Sequence, residues 1–341
     1  MRNLKPVIIR VLGSAGGYRM SRWLTKSVPK ILMYHRFSAE PTYGHVNRDM
    51  FERQVNYLQS RFNLFSLRGL IEAYQSQGAF PANAAVITVD DGYSDFYEIA
   101  YPVLRKYGAP ATFFITTRFV AGGFWLWPDL LRFILHQSRS VNMNELPGGM
   151  NFQTDALTSE SRDYLWGMIV IYLLAITEED KKSWIERFAA VQGVVVADRP
   201  LHGYRAVSWN QVREMSRHKI EIGAHSRTHP SLGKIGKTQL QDEVQGSVDD
   251  ITGVLGHPPA SFCYPNGQPS DYTDEVKVCV KNAGCSVAVT AFYDDSFTDD
   301  LYELRRFNAS EYWPDFLKTV NGVDALSARW LKSNSIMNQV A

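Results

Sequence analysis

The chain has 341 residues, of which 45% are hydrophobic and 21% are charged. This composition is typical of a globular protein with one large α/β domain or two ordinary domains, and it excludes a disordered chain. The formal net charge of +1 provides no overall field that would attract nucleic acid, so we expect no nucleic-acid partner.

The first 27 residues are basic and contain no acidic residue. Their charged side chains are Arg2, Lys5, Arg10, Arg19, Arg22 and Lys26. The apolar run 7–9 is interrupted at once by Arg10, whereas a secretory signal needs a longer apolar core. We therefore expect a cytoplasmic protein. Its leader is either a peripheral segment at the inner face of the membrane or a poorly ordered basic arm.

Apolar runs alternate with amphipathic stretches along the rest of the chain, which favours an α/β fold. The predicted strands cover residues 31–34, 84–89, 110–116, 221–224, 261–264, 286–290 and about 304–307. The predicted helices cover residues 49–62, 96–107, 209–217, 237–255 and 274–283.

The alternation stops between Ala121 and about Pro200, where the sequence predicts helices and loops with a turn at 146–149. The apolar stretch 164–176 is too short to cross a bilayer, which takes about 20 residues, so it predicts a buried or interfacial helix. We expect this insertion on the active-site side, where it would influence substrate choice. The predicted organisation is a leader at 1–27, a barrel domain at 28–320 with a helical insertion at 121–200, and a C-terminal tail at 321–341.

Several predicted strands end in polar residues, namely His35, Asp90, His225 and Tyr264. In a parallel barrel, the C-terminal ends of the strands form one face, and active sites lie on that face. Residues far apart in the sequence could therefore meet at one site.

The first motif is Thr88-Val89-Asp90-Asp91-Gly92, at the end of an apolar strand. Two adjacent carboxylates in this position can divide their roles, because one can bind a metal while its neighbour faces a water. The alternative is an ordinary Asp-Gly turn, which is common in loops.

The second motif runs from His225 to Pro230, with the sequence HSRTHP. Two histidines at this spacing can chelate one cation, and imidazole suits Zn²⁺. One carboxylate and two histidines form a recurrent catalytic set that leaves positions open for water and substrate. Paired surface histidines are the ordinary alternative.

The third motif is FCYPNG, from Phe262 to Gly267, in which Pro265 and Gly267 bracket a tight turn at a strand end. Backbone N–H groups in such a turn could face an oxyanion. Taken alone, the motif also fits an ordinary connection between a strand and a loop.

In this order, the three motifs resemble those of the polysaccharide deacetylase (NodB-homology) superfamily, over about Lys30 to Asn308. The resemblance implies an α/β fold, a distorted (β/α) barrel of about seven strands. It also implies a hydrolase that removes N-acetyl groups from a carbohydrate. One divalent metal ion, expected to be Zn²⁺, would be held by Asp91, His225 and His229, with Asp90 as the general base.

The third motif departs from the family pattern at two positions. The family's Arg, which orients the base, falls at Cys263, and its Tyr falls at Asn266. The backbone N–H of Asn266 can still stabilise an oxyanion, because this role does not depend on the side chain. The orienting Arg must come from elsewhere, and Arg305 or Arg306 at the last strand is the candidate, with Arg306 preferred.

The family's late LxLxH motif, which supplies a histidine acid, is missing, since no histidine follows His257. The segment Ile31–His35 has its form at the N-terminus instead. This resembles the circularly permuted branch, which includes poly-N-acetylglucosamine deacetylases, and implies that His35 is the general acid. The alternative is a histidine that caps a strand.

The expected partner is an acetylated sugar or glycan, either an exopolysaccharide or a lipid-linked sugar precursor. Candidate substrate-binding residues are Ser226, Tyr264, Pro265, Trp125, Trp127 and Trp209, although a Trp is as often a packing residue. An O-deacetylase or deformylase acting on a similar glycan is one alternative function. A catalytically dead carbohydrate-binding module is another.

Overall fold

The computed structural model describes residues 15–143, 152–154, 156–201, 203–293, 300–323 and 325–326. The predictions for the first 14 residues of the leader, for the turn at 146–149 and for the tail beyond residue 326 lie outside the described residues.

The described strands are β1 (Lys30–Tyr34), β2 (Phe37–Ser38), β3 (Val46–Asn47), β4 (Asn63–Phe65), β5 (Ala84–Val89), β6 (Ala111–Ile115), β7 (Val141–Asn142), β8 (Gln153–Thr154), β9 (Ile220–Ala224), β10 (Ser261–Cys263), β11 (Val287–Val289) and β12 (Phe307–Asn308). The described α-helices are α1 (Ala15–Leu24), α2 (Arg48–Arg61), α3 (Leu67–Gln77), α4 (Tyr101–Tyr107), α5 (Thr117–Ala121), α6 (Trp127–Gln137), α7 (Ser159–Ala175), α8 (Glu178–Val191), α9 (Trp209–Ser216), α10 (Lys237–Leu255), α11 (Asp274–Asn282) and α12 (Trp313–Val320). A π-helical turn (Phe96–Ala100) precedes α4, and a 3₁₀ turn (Leu232–Lys234) precedes α10.

Eight of the described strands form one parallel sheet. Its order is β11-β10-β9-β6-β5-β1-β12, and β4 pairs with the first half of β5. Most strands of the sheet are fully or almost fully buried, as expected for a parallel sheet covered by helices, whereas the short strands β4 and β12 each have an exposed residue.

Residues 304–308 join the two ends of this sheet. Leu304 forms a parallel bridge with Val289 of β11, and Phe307 pairs with Leu32 of β1. The sheet therefore curls into a distorted barrel with seven strands along its path. The fold expected from the sequence is confirmed.

The alternation of side chains along β5 separates two layers of the core. Ala85 and Ile87 pack in the large core between the sheet and the surrounding helices, whereas Ala84 and Val86 pack in a smaller core inside the barrel. Because side chains alternate strictly along a strand, Asp90 continues the inward-facing row. The register of β5 therefore directs a carboxylate into the mouth of the barrel.

Helices α6, α7 and α8 form a separate layer, which we call the cap. They share a hydrophobic core that consists mainly of Leu131, Ile134, Leu135, Leu165, Ile169, Leu173, Trp184, Ile185 and Phe188. The predicted apolar stretch forms most of α7. Among the described residues, no helix has both the length and the apolar character that a membrane span requires.

We expect Gly223→Ala to lower the free energy of unfolding by about 1–3 kcal/mol, through overpacking inside the barrel. A Cβ on Gly223 would clash with the ring of Phe114 and lie 2.8 Å from Ser261 Oγ. The matched control is Gly253→Ala in α10, where a Cβ would meet nothing within 4 Å. Removing an exposed helical glycine should raise stability slightly. Urea unfolding compares the two variants, and equal midpoints would contradict the packing argument.

Candidate functional site

Three buried metal-ligand side chains meet at the C-terminal end of the barrel. Asp91 follows β5, His225 follows β9, and His229 lies four residues further along the same loop. Asp91 Oδ1 is 3.3 Å from His225 Nε2 and 3.4 Å from His229 Nε2. One donor atom from each residue lies within 4.8 Å of the others, which is the proximity that a shared cation needs.

The hydrogen bonding of His225 indicates what these atoms can hold. Its Nδ1 is 2.7 Å from the carbonyl oxygen of Cys263, so Nδ1 carries the proton and donates. Without a second proton on the ring, Nε2 would present a lone pair to the carboxylate oxygen of Asp91. Two acceptors at this separation need a cation or a second proton between them, and a backbone-anchored imidazole is the usual arrangement of a metal ligand. The residues present therefore fit a divalent cation.

The ionisation state of Asp91 is consistent with binding of a divalent cation. Burial would raise the pKa of Asp91, but the imidazoles of His225 and His229 outweigh burial and hold the pKa well below its usual range. The carboxylate is thus ionised and available as a ligand at neutral pH.

Left-handed backbone conformations orient several residues of the candidate site. Asp91, Ser226, His229 and Asn266 have φ values of 76°, 59°, 62° and 59°. Non-glycine residues rarely adopt this region, and such strain concentrates at functional sites. In the second motif, the N–H of His229 donates to Ser226 Oγ at 3.0 Å, which closes the turn between the two histidines.

Asp90 forms a buried bidentate ion pair with Arg306. The two Nη–Oδ distances are both 2.7 Å, and Arg306 also donates to Thr88 Oγ1 at 3.0 Å and to the carbonyl of Thr290. Burial would raise the pKa of Asp90, but the charge and hydrogen bonds of Arg306 outweigh burial and lower it. Asp90 is therefore an ionised carboxylate with a fixed orientation. Arg305 instead pairs with Glu303, away from this carboxylate.

A second possible ligand group consists of Asp90, His225 and Cys263. It is the weaker candidate, because burial raises the pKa of the Cys263 thiol well above its usual value. A protonated thiol is a poor metal ligand, since the thiolate is the form that binds. Asp90 is in addition already paired with Arg306.

His35 lies beside Asp90, at the end of β1. Its Nε2 is 3.7 Å from Asp90 Oδ2, and 43% of its side chain is exposed. Asn266 lines the same cleft, and its side-chain amide donates to Ser231 Oγ at 3.1 Å. The structure therefore brings His35 and Asn266 to the group formed by Asp90, Asp91 and the two histidines.

A cleft of about 1090 Å³ opens above these residues. One wall belongs to the barrel, and the other comes from the cap. The cap residues that line it include Trp127, Asp129, Arg132, Asp163 and Trp166. The inserted segment thus lies on the same side of the barrel as the candidate site.

Two of the three predicted aromatic residues have other contacts. Trp127 lines the cleft. Trp125 instead donates its Nε1 hydrogen to the carbonyl of Ala197 and packs against Phe133. Trp209 packs against the main core as the first residue of α9. Trp125 and Trp209 therefore have packing contacts and do not line this cleft, and their sugar-stacking roles stay predictions.

The other predicted substrate residues support the loops. Ser226 is fully buried and closes the histidine turn. Tyr264 borders the cleft, but its side chain is fully buried, and its hydroxyl donates to the carbonyl of Tyr302 at 2.8 Å. Pro265 is buried in the turn, where its carbonyl accepts from the N–H of Gly267 at 2.7 Å. Their side chains are buried and have contacts within the protein, so their substrate-binding roles stay predictions.

Sequence reasoning missed a polar group between the barrel and the cap. Arg36 Nε lies 2.6 Å from Asp95 Oδ2, its guanidinium covers the ring of Tyr93, and the Tyr93 hydroxyl donates to Asp129 at 2.7 Å. Burial raises the pKa of Asp95 and that of Asp129 to about 6. Arg36 directly follows His35, so the same strand-end argument could have found it. Asp129 lies in a cap helix and carried no such signal.

The histidine loop is held from outside the site by α10. The carboxylate of Glu243 accepts hydrogen bonds from the N–H groups of Arg227 and Thr228 at 2.9 and 2.8 Å, and from the Thr228 hydroxyl. Glu243 is itself buried. Its carboxylate therefore positions the strained turn that carries His225 and His229.

We expect Glu243→Ala to weaken metal binding by roughly 10–100-fold, the usual cost of losing a group that supports the ligands. Glu243→Gln keeps one acceptor oxygen and should fall between wild type and Glu243→Ala. The matched control is Asp249→Ala, an exposed carboxylate on the same helix. Competition with a chromogenic chelator measures affinity, and circular dichroism verifies folding. Wild-type affinity in folded Glu243→Ala would contradict the positioning role.

Comparison with known proteins places this site in a family. The family model described as polysaccharide deacetylase matches residues 77–142 and 180–288, just over half of the chain. The poly-beta-1,6-N-acetyl-D-glucosamine N-deacetylase of Staphylococcus aureus is 39% identical over 72 residues, which are 21% of this chain and 25% of that protein. The sequence match thus spans about a quarter of this relative's length.

Solved structures agree at the level of the fold. The Streptococcus pyogenes deacetylase PplD, in complex with acetate, has a TM-score of 0.55 at 18% identity, over 85% of this chain and 96% of that chain. IcaB from Ammonifex degensii has a TM-score of 0.55 at 16% identity, over 86% of this chain and 95% of that chain. The family match covers Asp90, Asp91 and both histidines within the barrel that these structures share, so the chain belongs to the polysaccharide deacetylase family.

Proposed function

We propose that this protein is a carbohydrate deacetylase that hydrolyses N-acetyl groups with the help of a bound Zn²⁺ ion. The observation that carries the proposal is the arrangement at the cleft floor. An ionised, Arg-fixed carboxylate lies next to a separate set of three ligand side chains, and both open into a cleft. Two imidazoles and one carboxylate suit Zn²⁺ better than the oxygen-binding Ca²⁺ or Mg²⁺.

The chain's own residues would divide the chemistry as follows. A bound divalent cation supplies Lewis acidity toward the acetyl carbonyl and lowers the pKa of water. Asp90 accepts the proton of the attacking water, and Arg306 keeps the carboxylate ionised and oriented. The backbone N–H of Asn266 stabilises the developing oxyanion. His35 then donates a proton to the leaving amine nitrogen, with acetate and a free amino sugar as products.

The substrate we propose is an N-acetylated glycan, either an exopolysaccharide or a lipid-linked sugar precursor. The name of the Staphylococcus aureus relative, which describes a polymer of N-acetylglucosamine, supports this class. The cleft supports it as well, since Trp127 and Trp166 offer aromatic surface to sugar rings and the polar residues of the cap offer hydrogen bonds. The cap would then influence which glycan is accepted.

Mass spectrometry of acetylated sugars after incubation with the zinc-loaded protein tests the reaction. The panel contains N-acetylglucosamine oligomers, O-acetylated sugars and N-formylated sugars. We expect the loss of one acetyl mass from the N-acetyl substrates. Loss only from O-acetylated or N-formylated sugars would favour the alternative chemistries, and no loss from any sugar would favour a binding module.

We expect Asp90→Asn to lower turnover by at least about 10²-fold, within the usual contribution of a general base. Zinc content should stay near one ion per chain, because Asp90 is not in the proposed ligand set. The matched change Asp91→Asn should lower zinc content instead. Elemental analysis after gel filtration separates the two variants. Loss of zinc in Asp90→Asn, with retention in Asp91→Asn, would show that the two roles are exchanged.

We expect His35→Ala to lower the rate on an N-acetyl sugar by about 10²–10⁴-fold, the usual contribution of general acid catalysis. The loss on an activated aryl acetate should be far smaller, because a good leaving group needs little protonation. His257→Ala, an exposed histidine outside the cleft, is the control. Equal losses on both substrates would point to a structural role for His35, and the assignment of the acid would then be wrong.

A further inference from the structure

Helix α1 has its small side chains buried and its large apolar side chains exposed. Gly17 and Ser21 in the helix, and Thr25 immediately after it, are buried at a spacing of four residues. Met20 and Trp23, on the opposite face, are 48% and 64% exposed. A surface helix of a globular protein normally has the reverse arrangement, with its apolar stripe toward the core.

The buried face of α1 is held by specific contacts. Arg22 donates to Asn321 Oδ1 at 2.7 Å, just beyond α12. Thr25 packs so closely on Gly322 that a Cβ there would clash with it. The orientation of the helix is therefore determined by its contacts, and these contacts present Trp23 to solvent.

The exposed face is also basic. Arg19 and Lys26 are exposed beside Met20, Trp23 and Leu24. The first acidic residue in the sequence is Glu40, so the sequence around the helix carries only positive charge. A helix with exposed Trp and Leu side chains flanked by Lys and Arg fits the interface of an anionic bilayer.

We infer that α1 and the turn after it bind the surface of an anionic phospholipid bilayer through Arg19, Met20, Trp23, Leu24 and Lys26. The apolar side chains enter the headgroup boundary, where Trp is favoured, and the basic side chains contact lipid phosphates. A protein partner or a second copy of this chain would require an acidic or apolar counterpart, whereas a bilayer satisfies both features of the helix.

The location of α1 determines which end of the barrel would face the bilayer. The N–H of Asn83, immediately before β5, donates to the carbonyl of Lys26 at 2.7 Å, which places the end of α1 at the N-terminal end of the barrel strands. The candidate site lies at the opposite, C-terminal end. Binding through α1 would therefore leave the cleft facing away from the lipid and open to a glycan.

Vesicle co-sedimentation of the full-length chain tests this inference. Vesicles of phosphatidylcholine alone are compared with vesicles that contain phosphatidylglycerol, at low and high salt. We expect binding only to the anionic vesicles and weaker binding at high salt. The variant Met20→Ser/Trp23→Ser/Leu24→Ser should lose roughly tenfold or more in partitioning, while its circular dichroism and its rate on a soluble substrate stay unchanged.

The matched control is Tyr164→Ser/Ile171→Ser on α7, where two apolar side chains are 65% and 73% exposed. It should bind vesicles like wild type. Loss of binding in this control, or wild-type binding by the α1 variant, would overturn the inference. A dimer in sedimentation velocity that the α1 variant abolishes, without vesicle binding, would assign the face to self-association and also overturn it. The inference is independent of the proposed chemistry, because none of these binding measurements requires activity.

Discussion

The buried ion pair between Asp90 and Arg306 is the interaction on which the candidate site depends. Asp90 is 2% exposed and Arg306 is fully buried, and a buried charge is tolerated only when an opposite charge and hydrogen bonds satisfy it. Arg306 lies in the segment that joins β11 to β1, whereas Asp90 follows β5 near the middle of the sheet. The closure of the barrel and the ionisation of the carboxylate are therefore coupled. The segment that completes the wall also supplies the charge that keeps Asp90 ionised and oriented.

The regular strands bring the site residues to one end of the barrel, and the irregular backbone after the strands orients their side chains. Asp91 and His229 adopt left-handed conformations in the loops that follow β5 and β9, and the buried carboxylate of Glu243 holds the second of these loops. The adjacent carboxylates can point in different directions because the strand ends at Val89 and the backbone is left-handed at Asp91. Asp90 continues the inward row of β5, and Asp91 turns toward the histidines. The dipeptide Asp90-Asp91 therefore supplies one carboxylate as a candidate base and the other as a candidate metal ligand.

The sequence predicted well the features that depend on short-range pattern. Buried strands are continuous apolar runs, so all seven predicted strands correspond to strands of the sheet, and their polar ends identified His35, Asp90 and His225. It missed β4, because Asn63–Phe65 is too short to show a period. It also missed Glu243 and Asp129, which act through contacts across the fold and have ordinary helical surroundings in the sequence. The sequence also could not show the packing contacts of Trp125 and Trp209, since an aromatic residue looks the same in a sequence whether it faces a cleft or a core.

Cys263 occupies the position at which the resemblance places the arginine of the third motif. Its contacts show that a residue's position in the barrel, rather than in the sequence, determines whether it can reach Asp90. Cys263 lies in the inward row of β10, and Arg306 Nη2 approaches its Sγ to 3.1 Å. Both positions therefore face the same point inside the barrel, next to Asp90. The Arg306 guanidinium reaches the Asp90 carboxylate at this point. The small side chain of Cys263 leaves room there for the guanidinium of Arg306, so the last strand supplies the arginine that pairs with Asp90.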